Sequence, residues 1–184
     1  MTQNRTIDDQ KRAAAIKALD FVTPHMKLGL GTGSTAEHFV QALAGRAKNG
    51  LDVTCTATSQ RTEDLARSLG LKLADLDTLG TLDLTVDGAD EADGDFRLIK
   101  GGGGALLREK IVASASRRMI VIADASKRVD VLGAFPLPVE IVSFAVQTTI
   151  GRIAAAAAAT GCRGNLTRLR GGANPFRTDQ GNLI

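Results

Sequence analysis

Apolar residues recur along the first two thirds of the chain at two spacings, one typical of helices and one typical of strands. The helical spacing of i, i+3, i+4 and i+7 is clearest at Ala36, Phe39, Val40 and Leu43. Strict alternation of apolar residues with threonine marks residues 53–58 as a strand. Strands that alternate with helices are typical of an α/β fold, so we predict a Rossmann-like, mostly parallel sheet flanked by helices. The further predicted strands are 27–30, 71–76, 82–86, 96–99 and 119–123, and the further helices are 8–22, 59–69 and 105–116.

The pattern changes after Gly133, and we expect a domain boundary there. An extended, linker-like stretch at 135–138 leads to a short strand at 139–142 and an alanine-rich helix at 145–159. We therefore predict a Rossmann-like catalytic domain at 1–133 and a smaller α+β domain at 134–184. A short strand at 166–169 and a turn at 179–182 are also expected. Because the strand that starts at Leu183 stops at once, we expect the smaller domain to be truncated at its C-terminus.

Composition and charge argue against several classes of function. The 184 residues include 23 basic and 20 acidic side chains but no Trp or Tyr, which argues against nucleic-acid binding. The polar N-terminus does not resemble a signal peptide, and the longest apolar run is too short to cross a membrane. Cys55 and Cys162 lie far apart, as expected of neutral thiols in a reducing cytoplasm. No His or Cys pattern typical of a metal site occurs, so we predict no metal.

A loop rich in glycine and hydroxyl groups, Gly31-Thr-Gly-Ser-Thr35, lies between a predicted strand and a predicted helix. Backbone N–H groups and hydroxyls gathered at the start of a helix are suited to binding a phosphate group. The loop is neither a Walker loop, which needs a following Gly-Lys, nor a GxGxxG fingerprint. By itself it is equally compatible with a tight turn whose hydroxyl caps the helix.

The most informative stretch covers residues 87–110 and follows the predicted strand at 82–86. It contains two aspartates (Asp87 and Asp90), an isolated lysine (Lys100), a four-glycine run at 101–104, and Glu109 inside the next helix. Open α/β sheets bind their ligands at the carboxyl ends of strands, so this stretch is the leading candidate for a site.

The helical wheel predicts where Glu109 points. Glu109 lies about 200° from Leu107 and from Ile111, which we take as the packed stripe of this helix. Glu109 is therefore expected to point away from the core, either into water or into a cleft.

These groups suit the abstraction of a proton next to a carbonyl group. Glu109 would be the base, and a lysine with the backbone N–H groups of 101–104 would stabilise the enediolate oxygens. Asp87 and Asp90 would bind substrate hydroxyls and orient the lysine, while the loop at 32–35 would hold a phosphate. A divalent metal at the aspartates would compete with Lys100 for the same place. The combination predicts a sugar-phosphate isomerase that needs no cofactor.

Five separated motifs resemble, in order and spacing, those of the ribose-5-phosphate isomerase A family. The resemblance covers essentially the whole chain. It implies interconversion of ribose 5-phosphate and ribulose 5-phosphate in the pentose phosphate pathway, by a homo-oligomer such as a dimer or tetramer. The motifs are Thr32-Gly-Ser-Thr35, Asp87-Gly-Ala-Asp90, Lys100-Gly-Gly-Gly103, Glu109 and Ala123-Asp-Ala-Ser-Lys127.

The resemblance also implies a role for each matched residue. Glu109 would shuttle a proton between C1 and C2, with Asp87 and Lys100 as further catalytic residues. Lys11 matches a family lysine that helps to hold phosphate, although the motif around it is poor. The residues implied in substrate binding are Thr32, Gly33, Ser34, Thr35, Asp87, Gly88, Ala89, Asp90, Lys100, Gly101, Gly102, Gly103 and Lys127.

Two other functions stay open on the residues alone. One is a sugar-phosphate sensor domain of similar fold, which would not need Glu109. The other is a relative of the coenzyme A transferases, in which a glutamate acts as a nucleophile; the phosphate loop and Lys127 argue against it.

Overall fold

The computed structural model describes residues 6–164 and 167–184, and the chain divides into two compact units, Met1–Leu137 and Pro138–Ile184. The strands of the first unit are Lys27–Leu30 (β1), Thr54–Ala57 (β2), Leu84–Asp87 (β3), Glu91–Ala92 (β4), Leu98–Ile99 (β5) and Met119–Val121 (β6). Four of them form a parallel sheet in the order β2-β1-β3-β6, while β4 and β5 form a separate antiparallel pair. This arrangement confirms the predicted α/β fold with a parallel sheet.

Helices cover the sheet and bury its apolar side chains. The helices of the first unit are Ile7–Ala18 (α1), Ser34–Lys48 (α2), Gln60–Ser68 (α3), Leu76–Leu79 (α4) and Leu106–Ser114 (α5), with 3₁₀ turns at Leu19–Phe21 and Ala125–Lys127. The predicted stripe of α2 is confirmed, because all four of its apolar residues at 36, 39, 40 and 43 are buried. Ser59 caps α3 as expected, since its hydroxyl accepts the Thr62 N–H. Cys55 is buried in β2, and burial raises the pKa of its thiol to about 12.

Three predicted elements differ from the observed ones, each for a local reason. Helix α1 begins at Ile7, one residue earlier than predicted, because Thr6 and Asp9 form a capping box, and it ends at Ala18 in a 3₁₀ turn. The strand predicted at 71–76 is reduced to one bridge between Leu73 and Cys55, after which the chain turns into α4. The strand predicted at 96–99 keeps only its second half, because Asp93 accepts backbone N–H groups on both sides of Phe96, which has a φ of 62°.

The second unit contains one long helix and one bridge. The alanine-rich helix is Val146–Ala159 (α6), in agreement with its pattern. The strand expected at 139–142 is reduced to an antiparallel bridge between Ile141 and Leu183, and the turn before it is closed by the Gly181 N–H on the Thr178 carbonyl. The strand expected at 166–169 begins outside the described residues. Across residues 6–164 and 167–184, no helix is long and apolar enough to span a bilayer.

Candidate active site

Three of the predicted site segments follow the carboxyl ends of neighbouring parallel strands. The loop at 31–35 follows β1, the segment 87–90 follows β3, and the turn at 124–127 follows β6. Because β1 and β6 both pair with β3, these segments meet at one edge of the sheet.

Asp87, at the end of β3, is the anchor of this edge. It is fully buried, and its Oδ1 accepts the backbone N–H groups of Thr32 at 3.0 Å and Gly88 at 2.7 Å. Its Oδ2 accepts a hydrogen bond from Lys100 Nζ at 2.9 Å. Both carboxylate oxygens therefore have partners within the protein, and the expectation that Asp87 also binds a substrate hydroxyl stays a prediction. The expectation that Asp87 orients the lysine agrees with this geometry.

Lys100 lies between two carboxylates. Its Nζ is 2.9 Å from Asp87 Oδ2 and 2.8 Å from Glu109 Oε2, and it also donates to the Gly88 carbonyl at 2.7 Å. Three of the residues predicted to act together are thus in direct contact, although they come from β3, the segment after β5, and α5. Ala89 lies half-buried in the turn after Gly88.

Glu109 points toward the core side of α5, not away from it as the helical wheel predicted. The Glu109 residue is 6% exposed, whereas Leu107 and Ile111 are 40% and 49% exposed. The buried face of α5 is instead formed by Glu109 with Val112, which follows it by three residues. The assumption that the large apolar residues mark the packed face was wrong here, because Lys100 neutralises a carboxylate on that face.

The electrostatics of this contact favour a base whose pKa is shifted toward neutrality. Burial, together with the negative charge of Asp87, raises the pKa of Glu109 above its ordinary range, and Lys100 only partly offsets this. Burial disfavours the Lys100 ammonium, but Asp87 and Glu109 outweigh it, so the pKa of Lys100 is raised and its charge is kept. Perturbed carboxyl groups of this kind cluster at sites of acid–base chemistry.

The glycine turn at 101–104 is held in place by Asp90. Asp90 Oδ2 accepts the Gly102 N–H at 2.7 Å, and the Gly104 N–H donates to the Gly101 carbonyl at 3.0 Å. A Cβ on Gly102 would lie 2.5 Å from Asp90 Oδ1, so the close approach needs glycine. Two N–H groups expected to stabilise an oxyanion are thus already used, and Asp90 supports the turn. Gly103 is exposed at its tip.

The loop at 31–35 starts α2 without a side-chain cap, contrary to the hydroxyl-cap alternative. Gly33 is the N-cap residue, with a φ of 104°, and no side chain closes the first turn of the helix. The Thr32 hydroxyl points inward, where it bonds to the Thr58 and Ser59 hydroxyls at 2.7 and 2.8 Å. Thr35 is buried and Ser34 is exposed. The uncapped helix start and the Ser34 hydroxyl are the groups available to an anion.

One lysine contacts this helix start, and a second lies in the turn that follows the neighbouring strand β6. Lys11, on α1, donates to Ser34 Oγ at 2.9 Å, and Lys127 lies in the 3₁₀ turn after β6. Asp124, which caps that turn, is buried; burial opposes its ionisation, but hydrogen bonds from Ser126 and the charges of Lys11 and Lys127 hold its pKa below the ordinary value. The family motif in the sequence includes Lys127, whereas the motif around Lys11 is poor. The contact between Lys11 and Ser34 joins α1 to α2, and the spacing of residues within either helix does not predict it.

Gly31 leaves no room for a side chain beside Asp87. A Cβ on Gly31 would lie 2.5 Å from Asp87 Cα and still closer to Asp87 Oδ1. Gly31→Ala is therefore expected to displace the carboxylate from Lys100, to lower kcat, and to destabilise the fold by about 1–3 kcal/mol. Urea unfolding and steady-state kinetics measure the two effects. Gly45→Ala, on α2 with open space around it, is the matched control and should stabilise by about 0.5–1 kcal/mol. Equal unfolding midpoints for Gly31→Ala and the wild type would contradict this packing argument.

Comparisons with known protein sequences are consistent with this geometry. A family model described as Ribose 5-phosphate isomerase A (phosphoriboisomerase A) matches residues 54–184. The chain is similar to Ribose-5-phosphate isomerase A of Parvibaculum lavamentivorans, with 61% identity over 178 residues that cover 96% of this chain and 77% of that protein. It is 56% identical over 174 residues to Ribose-5-phosphate isomerase A of Sinorhizobium fredii, covering 95% of this chain and 75% of that protein.

Solved structures of relatives share the fold. A ribose 5-phosphate isomerase from Plasmodium falciparum superposes with a TM-score of 0.87 at 39% identity, covering 96% of this chain and 76% of that one. A D-ribose-5-phosphate isomerase in complex with phospho-erythronic acid gives a TM-score of 0.87 at 34% identity, covering 97% and 78%. With the family model matching most of the chain and relatives above 50% identity, this chain belongs to the ribose-5-phosphate isomerase A family.

Proposed function

We propose that this protein is an aldose–ketose isomerase that interconverts D-ribose 5-phosphate and D-ribulose 5-phosphate, with Glu109 as the general base. The observation that carries the proposal is the buried contact in which Glu109 Oε2 lies 2.8 Å from Lys100 Nζ, while Lys100 is also held by Asp87. Family membership favours this activity over a sensor domain or a coenzyme A transferase relative.

The chemistry uses one base and one cation. Glu109 removes the proton from C2 of the open-chain aldose, and the electron pair moves to form an enediolate with negative charge on the C1 oxygen. Lys100, kept as an ammonium, donates to the enediolate oxygens as the charge develops. The proton of the C2 hydroxyl passes to the C1 oxygen, and Glu109 returns its proton to C1 as the C2 carbonyl forms, which gives the ketose.

Asp87 and Asp90 act as positioning residues in this proposal. Asp87 is fully buried and fixes Lys100, so its effect reaches the substrate through the ammonium. Asp90 fixes the turn at 101–104 through the Gly102 N–H. Gly101 and Gly103 complete that turn, which directly follows Lys100 in the chain.

The phosphate of the substrate is proposed to bind at the start of α2. The uncapped helix terminus, the Ser34 hydroxyl, and the ammonium groups of Lys11 and Lys127 provide the donors and the positive charge that a phosphate dianion needs. The relative solved in complex with phospho-erythronic acid, a phosphorylated sugar acid, supports this class of ligand.

Lys11→Ala tests the phosphate site. Losing one charged hydrogen bond should raise KM for ribose 5-phosphate about 10- to 100-fold, with a much smaller change in kcat. Lys48→Ala is the matched control, because it removes the same charge from the exposed far end of α2. A KM for Lys11→Ala equal to that of the control would place the phosphate elsewhere.

The cellular setting follows from the proposed substrate. We propose a cytoplasmic enzyme of carbohydrate metabolism that works as a homo-oligomer, either a dimer or a tetramer. The resemblance to the family supports both parts of this proposal. The unpaired cysteines Cys55 and Cys162 support the cytoplasm. Exposed apolar side chains such as Phe96 and Val131 support contacts between subunits. Light scattering of the purified protein determines the subunit number.

The activity itself is tested on the purified protein. Ribose 5-phosphate is supplied, and ribulose 5-phosphate is followed with a coupled ketose-specific assay. Formation of the ketose at enzymatic rates is expected. A folded protein that forms none would overturn the proposed function.

A further inference from the structure

The two lysines of the proposed phosphate site come from elements that lie far apart in the chain. Lys11 is on α1, and Lys127 is in the 3₁₀ turn Ala125–Lys127. Two ammonium groups that bind one phosphate repel each other, so their backbones must be held in place to keep both beside it. A phosphate that contacts both lysines binds most tightly when the spacing between them is set before it binds.

Gln10 provides a direct link between these elements. Its side-chain Oε1 accepts the backbone N–H of Ala125 at 3.0 Å, across 115 residues of chain. Ala125 is the first residue of the turn that ends at Lys127, and Gln10 directly precedes Lys11. Successive residues on a helix point about 100° apart. Gln10 therefore reaches the 3₁₀ turn while Lys11 reaches Ser34 on α2.

Asp124 reinforces the same turn from the other side. The carboxylate is buried and accepts the Ser126 N–H at 2.9 Å, which shapes the turn from its N-terminal end. Ala125 lies between Asp124 and Ser126 in the sequence, and its N–H donates to Gln10. Two acceptors thus hold the backbone of the turn: the carboxylate of Asp124 and the side-chain oxygen of Gln10 on α1.

We propose that Gln10 is a positioning residue for phosphate binding, which sets the spacing between Lys11 and Lys127 by holding the Ala125 N–H. The inference rests on the proposed phosphate site. Gln10 acts through the two lysines of the phosphate site, so it contributes to substrate affinity and not to the proton transfer at Glu109.

Gln10→Met tests this role, because it keeps the length and helix propensity of the side chain and removes the oxygen acceptor. KM for ribose 5-phosphate and the inhibition constant of inorganic phosphate should both rise about 3- to 10-fold, the worth of one hydrogen bond, with kcat unchanged. Gln60→Met, on α3, is the matched control and should leave all three values at wild type. Gln10→Ala is a second variant that gives the same result if Gln10→Met folds poorly.

A double-mutant cycle separates positioning from general damage. In a Lys127→Ala background, Gln10→Met should have little further effect, because the lysine it positions is gone. Equal effects of Gln10→Met in both backgrounds, or a wild-type KM and phosphate inhibition constant for Gln10→Met, would overturn the inference while leaving the phosphate site intact. Wild-type values for both Lys11→Ala and Lys127→Ala would instead overturn the phosphate site itself.

Discussion

Replacing Glu109 with glutamine is expected to lower kcat by about 10²- to 10⁴-fold, the usual contribution of a general base. The amide keeps the shape of the side chain and its place beside Lys100, but it cannot accept the proton from C2. KM for ribose 5-phosphate should change little, because the phosphate binds at the start of α2 through Ser34, Lys11 and Lys127. Steady-state kinetics give kcat and KM separately, and the inhibition constant of inorganic phosphate reports phosphate binding alone.

Glu63→Gln is the matched control for this substitution. Glu63 forms an ion pair with Arg67 on the surface of α3, and such pairs contribute little to stability. Its kcat should stay within about twofold of wild type. A Glu109→Gln enzyme with the turnover of this control would show that another group is the base.

Folding of the Glu109→Gln variant should be intact, for an electrostatic reason. Burial raises the folded-state pKa of Glu109, so its contribution to stability is present at low pH and is lost as the pH rises through that raised value. At neutral pH the ionised carboxylate therefore costs stability relative to its neutral form. The neutral amide removes this cost, so thermal unfolding should begin no earlier than in the wild type.

Replacing Lys100 with methionine is expected to lower kcat by about 10²- to 10³-fold, as for loss of an oxyanion donor. It should also change the pH dependence. Lys100 lowers the pKa of Glu109, so removing it raises that pKa further. The base is active only when ionised, and the acid limb of kcat/KM should therefore move to higher pH.

A pH profile of kcat/KM for Lys100→Met checks this directly. Lys110→Met is the control, since Lys110 is exposed on the same helix and should leave both the rate and the acid limb unchanged. If the acid limb of Lys100→Met stayed where the wild type has it, the 2.8 Å contact with Glu109 would not govern the ionisation of the base.

The sheet and the order of the site segments could be predicted from the sequence because both depend on local patterns. Alternating apolar residues marked β2, and spacing at i, i+3, i+4 and i+7 marked the buried face of α2. Segments that follow neighbouring parallel strands meet at one sheet edge, and Asp87 lies beside the loop at 31–35 there.

The direction of Glu109 could not be predicted, because its burial depends on a partner in another element. A wheel that treats Leu107 and Ile111 as the packed face has no means of registering Lys100, nine residues earlier and after β5. The hydrogen bonds of Asp87 and Gly102 could not be predicted for a similar reason. The Asp87 carboxylate accepts the Thr32 N–H, and the Gly102 N–H donates to Asp90. The sequence does not show that these groups already have partners. The roles proposed for Lys11 and Gln10 depend on contacts between α1 and distant segments of the chain. The periodicity of the sequence does not predict such contacts.

The central claim is that Glu109 carries a proton between adjacent carbons of the substrate. The most direct test follows ribose 5-phosphate by proton NMR in D₂O, with wild type and with Glu109→Gln. The wild type should introduce solvent deuterium at the carbons next to the carbonyl as the isomers equilibrate, and Glu109→Gln should introduce it no faster than buffer alone. Deuterium entry at the wild-type rate in Glu109→Gln would contradict the account, because another group would then be removing the proton.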